Sequence, residues 1–186
     1  KAAPVLLDME RVTKGACRAV IANSGNANCC TGDQGMADAV RMARAAAQAL
    51  GLPEDQVLVS STGVIGQQLA MDKIEAGLRL AADALSTDLA AGHSAARAIM
   101  TTDTRPKEHA LRVQLADGSA FSLAGMAKGA GMIHPNMATL LCALVSDAAV
   151  TPGLAQAALR EAVEISFNAI TIDGDTSTND TALLLC

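Results

Sequence analysis

The chain has 186 residues, 51% of them hydrophobic and 18% charged, which is enough apolar material to bury a core and too much for a disordered segment. Its formal net charge of −5, the lack of a long Lys/Arg run and the presence of only two aromatics, Phe121 and Phe167, argue against nucleic acid or an anionic membrane surface as the main partner. The longest mainly apolar run, Met137 to Val145, falls short of the roughly 20 residues that span a bilayer, no signal peptide opens the chain, and five cysteines without a CxxC pair signal neither a zinc site nor a disulfide framework. A reducing, cytoplasmic setting is expected.

Both ends read as cut. The chain starts at Lys1 almost directly into Val5-Leu6-Leu7 and stops within Ala182-Leu183-Leu184-Leu185-Cys186, as though each terminus fell inside a core strand. Further sequence or a second chain is expected on both sides.

Apolar runs of strand length alternate with longer stretches of helical period, predicting a mixed α/β domain. Ala19 to Ala22 reads as a buried strand running into a polar loop, Asn23-Ser24-Gly25-Asn26-Ala27-Asn28. The helix formers from Gly35 to Leu50 predict a helix stopped by Gly51 and Pro53. Val57 to Val59 is a second short strand, and Ser60 to Gly66 reads as the loop after it. Asp72 is placed to cap a helix whose Ile74, Leu78, Ala81 and Leu85 make one stripe, and a further helix is expected from Leu89 to Ala98. Leu111, Val113 and Leu115, then Asp117-Gly118, then Phe121 and Leu123 predict a hairpin. Thr139 to Val145 reads as a strand covered on both faces. Thr151 and Pro152 open a helix with Leu154, Ala158 and Val163 on its inner side.

The stretch Lys128 to Thr139 sets a threonine after a glycine-rich turn and before that strand. Ala138 leaves its carbonyl uncrowded and Pro135 stiffens the approach, so the Thr139 hydroxyl can attack the preceding carbonyl. Water then opens the ester and frees an amine, typical pKa about 7.7 to 8.0, that serves as base to its own hydroxyl. A random Ala-Thr pair would be an ordinary strand position. Read by themselves, Thr62-Gly63 is a loop after a strand, Lys128 a solvated lysine near a turn, and Thr102 a loop or capping hydroxyl.

The rival features fall away. His134 is five residues before Thr139 but is read as a loop residue, and His93 and His109 lack ligand spacing. Cys142 alternates to the opposite strand face from Thr139, and Cys29-Cys30 read as small buried thiols. The acidic loop Asp173 to Asp180 has Thr178 where a calcium loop needs Gly and Leu184 where it needs Glu. Gly129-Ala130-Gly131 fails the dinucleotide pattern at His134.

Five blocks in order resemble the ornithine acetyltransferases, the bifunctional glutamate N-acetyltransferases of arginine biosynthesis. They are Asn23 to Asn28, Ser61-Thr62-Gly63-Val64-Ile65-Gly66, Met100-Thr101-Thr102-Asp103-Thr104, Lys128 to Thr139, and Asp173 to Asp180. The resemblance covers essentially the whole chain, with the doubled Cys29-Cys30 a minor departure. It implies a layered αββα sandwich of the self-cleaving N-terminal nucleophile type, residues 1–186 being part of one catalytic domain cut between Ala138 and Thr139 into the end of an alpha chain and the start of a beta chain. It also implies Thr139 as nucleophile, Thr62 and Gly63 as the oxyanion hole, and Thr102, Lys128 and Thr139 as substrate contacts.

The activity implied is acetyl transfer from N2-acetylornithine to glutamate through a Thr139 acyl-enzyme, in a cytoplasmic heterotetramer of two alpha and two beta chains. No metal or redox cofactor is needed. Acetyl-CoA is an alternative donor in some members, which this sequence does not decide. The alternatives are an amidohydrolase or aminopeptidase of the same fold, with water taking the acyl group, and an inactive binding fragment. The 186 residues alone are expected to be inactive or poorly folded.

Overall fold

The computed structural model describes residues 1–135 and 140–186. The chain divides into two compact units, Lys1–Thr101 and Thr102–Cys186. Both combine helices with sheet, in keeping with the α/β sandwich expected from the sequence.

In the first unit β1 (Ala19–Asn26) and β2 (Val57–Val64) pair in parallel, in register from Ala19↔Val57 to Gly25↔Gly63. Parallel neighbours need a crossover, and the alanine-rich segment supplies it as α2 (Gly32–Leu50), ended as expected by Gly51 in the left-handed conformation. Ala39, Met42, Ala43, Ala46 and Ala47 recur at helical spacing and are all buried. With Val57, Val59, Leu69, Met71, Leu78 and Leu7 they form the core of the unit.

Both strands run further than the apolar residues predict. Asn23 to Asn26 and Ser60 to Val64, expected as loops, continue the parallel ladder. Ser60, Ser61 and Thr62 are buried strand residues, and the Ser61 hydroxyl is satisfied by Asn23 of the neighbouring strand. Val5-Leu6-Leu7, expected in a strand, lies in helix α1 (Ala3–Arg11), whose Pro4 starts the first turn and whose Pro4, Leu7, Asp8 and Arg11 form the buried face. Asp8 Oδ1 accepts the Val59 N–H at 2.9 Å and Arg11 Nη1 donates to the Val57 carbonyl at 2.6 Å. Two side chains thus close the edge of β2 where another strand would pair.

Helix α3 spans Met71–Asp83 and α4 spans Leu89–Ala98. Ala70, not Asp72, is the N-cap of α3, and Asp72 lies in its first turn. Leu78 is buried, whereas Leu85, past the helix end, is 69% exposed, so the stripe is shorter than its spacing suggests. Cys29 is buried as expected, but Cys30 is exposed with φ +57°.

The second unit is a four-stranded sheet in the order β3-β4-β5-β6. The predicted hairpin is β3 (Lys107–Gln114) with β4 (Ala120–Lys128), Val113 facing Phe121 and Leu111 facing Leu123. The Asp117 carboxylate accepts the Ser119 N–H at 2.9 Å and its hydroxyl at 2.6 Å, fixing the turn. β5 (Leu141–Ser146) lies antiparallel to β4, Lys128↔Leu141 to Leu123↔Ser146. The expected start of this strand, Thr139, is outside the described residues, and Val145 is 51% exposed, so the predicted covering of both faces fails there.

Helix α5 (Pro152–Ile165) crosses over to β6 (Thr181–Leu185), parallel to β5. Thr151 caps it as predicted, its hydroxyl accepting the Leu154 N–H at 3.4 Å. Ala155, Leu159 and Val163 are the half-buried positions of α5, while Leu154, expected inside, is 58% exposed. An apolar groove of about 500 Å³, lined by Phe121, Leu123, Leu144, Leu159 and Leu184 among others, runs between α5 and the sheet.

Candidate active site

At the end of β4, Lys128 is only 1% exposed, which corrects its reading as a solvated lysine. Removal from water pulls its ammonium below the ordinary lysine range; Asp103 and Asp180 oppose that shift, and Lys107 adds to it. Burial pushes the Asp180 carboxyl up to about 6, against the pull of the Leu140 N–H and of Lys128. In both groups desolvation outweighs the attraction between them.

The segment from Gly129 to Leu140 connects β4 to β5, and aspartates hold it at three points. Asp103 Oδ1, in a carboxylate that is itself buried, accepts the Gly129 N–H at 2.8 Å and also meets Lys107 Nζ. The Met132 and Ile133 N–H groups donate to Asp173 Oδ2 at 2.5 Å and Oδ1 at 3.1 Å, while the Ile172 N–H donates to the Ile133 carbonyl at 2.8 Å. At the far side the Leu140 N–H donates to Asp180 Oδ1 at 2.9 Å, and the Thr181 N–H donates to the Leu140 carbonyl at 2.9 Å. His134 is an exposed loop residue, as predicted, its Nδ1 3.3 Å from Thr171 Oγ1. Ala138 and Thr139 lie outside the described residues.

Thr102 is exposed and immediately precedes Asp103. The Asp103–Gly129 bond therefore ties the block that carries Thr102 to the block that carries Lys128.

Thr62 and Gly63 belong to the first unit. Thr62 is 3% exposed and stands opposite Ser24 and, at a bulge, Asn26. Gly63 has φ +132°, and a Cβ there would fall 2.2 Å from Gly25 C and 2.5 Å from Asn26 N. Only glycine lets β1 approach so closely. The polar block on β1 holds this end together: Ser61 Oγ donates to Asn23 Oδ1 at 2.6 Å, Asn23 Nδ2 to the Asn26 carbonyl at 2.8 Å, and Asn26 Nδ2 to the Gln67 carbonyl at 3.1 Å. A hydroxyl and a backbone N–H in a fixed strand can act as paired donors to a developing oxyanion.

Sequence reasoning assigned no role to Asp103, Asp173 or Asp180. Their signal was present only as aspartates within the matched polar blocks, since their partners are backbone amides remote in sequence.

The ArgJ family profile matches residues 1–186. The arginine biosynthesis bifunctional protein ArgJ of Symbiobacterium thermophilum is 56% identical over 185 residues, which cover 100% of this chain and 45% of that protein. Its counterpart in Geobacter sulfurreducens is 55% identical, covering 100% and 46%. Among solved structures, the ornithine acetyltransferase of Mycobacterium tuberculosis, complexed with ornithine, is similar with a TM-score of 0.68 and 46% identity over 74% of this chain and 72% of that one. The arginine biosynthesis bifunctional protein ArgJ of Bacillus halodurans gives a TM-score of 0.68 and 41% identity over 74% and 71%. The chain spans about half the length of the curated relatives it matches. With the family profile matched from first residue to last, and relatives identical at more than half of the aligned positions, the chain belongs to the ArgJ family.

Proposed function

We propose that the chain is part of a glutamate N-acetyltransferase of arginine biosynthesis that cuts itself between Ala138 and Thr139 and then works through Thr139. The observation that carries this reading is the unbroken family match, relatives named as arginine biosynthesis bifunctional proteins included. A neighbour solved with ornithine supports the substrate class. The buried Lys128 beside the Gly129–Leu140 connection agrees with it.

In the cleavage, the Thr139 Oγ bonds to the Ala138 carbonyl carbon, the C–N bond breaks, and the hydroxyl proton passes to the departing nitrogen. Water then hydrolyses the ester, leaving the Ala138 carboxylate and a free Thr139 amine. In the transfer, that amine takes the hydroxyl proton as Oγ attacks the acetyl carbonyl of N2-acetylornithine. Ornithine leaves with the proton; the glutamate amine then attacks the acetyl-Thr139 ester, the acetyl–Oγ bond breaks, and the proton lost by the glutamate nitrogen returns through the Thr139 amine to Oγ. Thr62 and Gly63 stabilise the oxyanion, each donor worth about 2.7 to 4 kcal/mol by analogy with a measured oxyanion hole. Thr102 and Lys128 bind the substrate, Lys128 as a point charge for a carboxylate. The reaction runs in the cytoplasm in a heterotetramer of two alpha and two beta chains and needs no metal or redox cofactor, with acetyl-CoA a second donor to be tried.

The test uses the full-length protein. Two pieces meeting between Ala138 and Thr139 by intact mass, one uncut chain in Thr139→Ala, and acetylglutamate formed only when glutamate is present support the reading. Acetate released equally fast with and without glutamate would make it a hydrolase instead. A fully active but uncut wild type would end the Thr139 mechanism.

A further inference from the structure

We propose that the loop from Thr171 to Asp180 is a clamp that holds the chain on both flanks of the Ala138–Thr139 bond and thereby governs the rate of cleavage, with Asp173 and Asp180 as positioning residues on its two sides; this rests on the self-cleavage proposed above. The same two-point grip occurs on both flanks. Upstream, Ile133 gives its N–H to Asp173 and receives the Ile172 N–H at its carbonyl. Downstream, Leu140 gives its N–H to Asp180 and receives the Thr181 N–H at its carbonyl. One short loop therefore fixes the connection before the scissile peptide and immediately after it.

Attack of a side-chain hydroxyl on the preceding carbonyl depends on how the reacting groups are positioned, and the two grips hold the chain at Met132 and Ile133 on one side and at Leu140 on the other. The upstream grip already holds an uncommon conformation. Met132, a non-glycine residue, has φ +56°, and Asp173 accepts its N–H. Asp173 is an exposed carboxylate, and the Met132 N–H, followed by those of Asp175 and Ile133, keeps its carboxyl below the ordinary range. Its two oxygens divide the Met132 and Ile133 amides between them, whereas Asp180 uses Oδ1 alone for Leu140. That difference makes the two residues respond differently to the same substitution.

The experiment is a time course of processing of the full-length protein, followed by intact mass, with melting points of each variant taken in the uncut Thr139→Ala background. Asp180→Ala slows cleavage by about tenfold or more, and Asp180→Asn, which keeps the acceptor oxygen, recovers most of that rate. Asp173→Asn, left with one oxygen for two amides, stays slow while its melting point changes little. Wild-type rates in both Asp173→Asn and Asp180→Ala would overturn the clamp and leave self-cleavage standing. So would Asp180→Asn being no faster than Asp180→Ala, or rates that merely follow the melting points. An uncut wild type would remove the clamp together with the reading it rests on. Should Asp180→Ala not fold, the exposed Asp173→Asn decides the matter.

Discussion

Asp8 and Asp180 pose the same problem at two places. In each, Oδ1 accepts a backbone N–H while the buried Oδ2 has no hydrogen-bond partner among the described residues. Burial pushes the Asp8 carboxyl up to about 7, against the Val59 N–H and Arg11. The folded pKa thus lies above the unfolded one, so this group favours folding at acid pH and its contribution is lost as pH rises from about 4 through 7. The full span is on the order of 4 kcal/mol. Asp8→Asn, which keeps an acceptor for Val59, is expected to raise the urea midpoint at pH 8 and leave it nearly unchanged at pH 4; an equal gain at both would show that charge burial is not the cause. For the proposed oxyanion hole, Thr62→Val in the full-length enzyme is expected to lower kcat about 100-fold with little change in KM. A rise in KM alone would mark Thr62 as a binding contact instead.

Among elements, the β1–β2 pair leaves no room for a side chain at Gly63. Gly63→Ala would force a Cβ into the Gly25 backbone at a φ that side chains rarely adopt, and a loss of about 3 kcal/mol or more in unfolding free energy is expected. A urea midpoint equal to wild type would contradict this contact. The hairpin, the Thr151 cap of α5 and the Gly51 stop were legible because turn chemistry and periodicity lie within a few residues of one another. The polar halves of β1 and β2 were not. Ser60, Ser61 and Thr62 carry no apolar alternation, and the edge of β2 is closed by Asp8 and Arg11 from a helix far away in sequence. The residues proposed for the chemistry divide along the same line. Thr62, Gly63, Thr102 and Lys128 came from motif resemblance, but Asp103, Asp173 and Asp180 grip backbone amides, which every residue type except proline offers and no motif records.

For the molecule as a whole, the chain spans about half the length of its curated relatives and leaves an apolar groove beside α5. The isolated 186 residues are expected to show no acetyl transfer, and the full-length protein is expected to show it; measurable transfer by the isolated chain would contradict this. The order of strands has one more effect. The proposed cut falls in the connection between β4 and β5, so β3 and β4 would belong to one product and β5 and β6 to the other, joined by the ladder from Leu123↔Ser146 to Lys128↔Leu141. Cutting leaves that ladder intact but changes the molecularity of its formation. Refolding of uncut Thr139→Ala should proceed at a rate independent of protein concentration, whereas the two separated pieces of the processed protein must first collide, so their recovery should slow and fall as the solution is diluted.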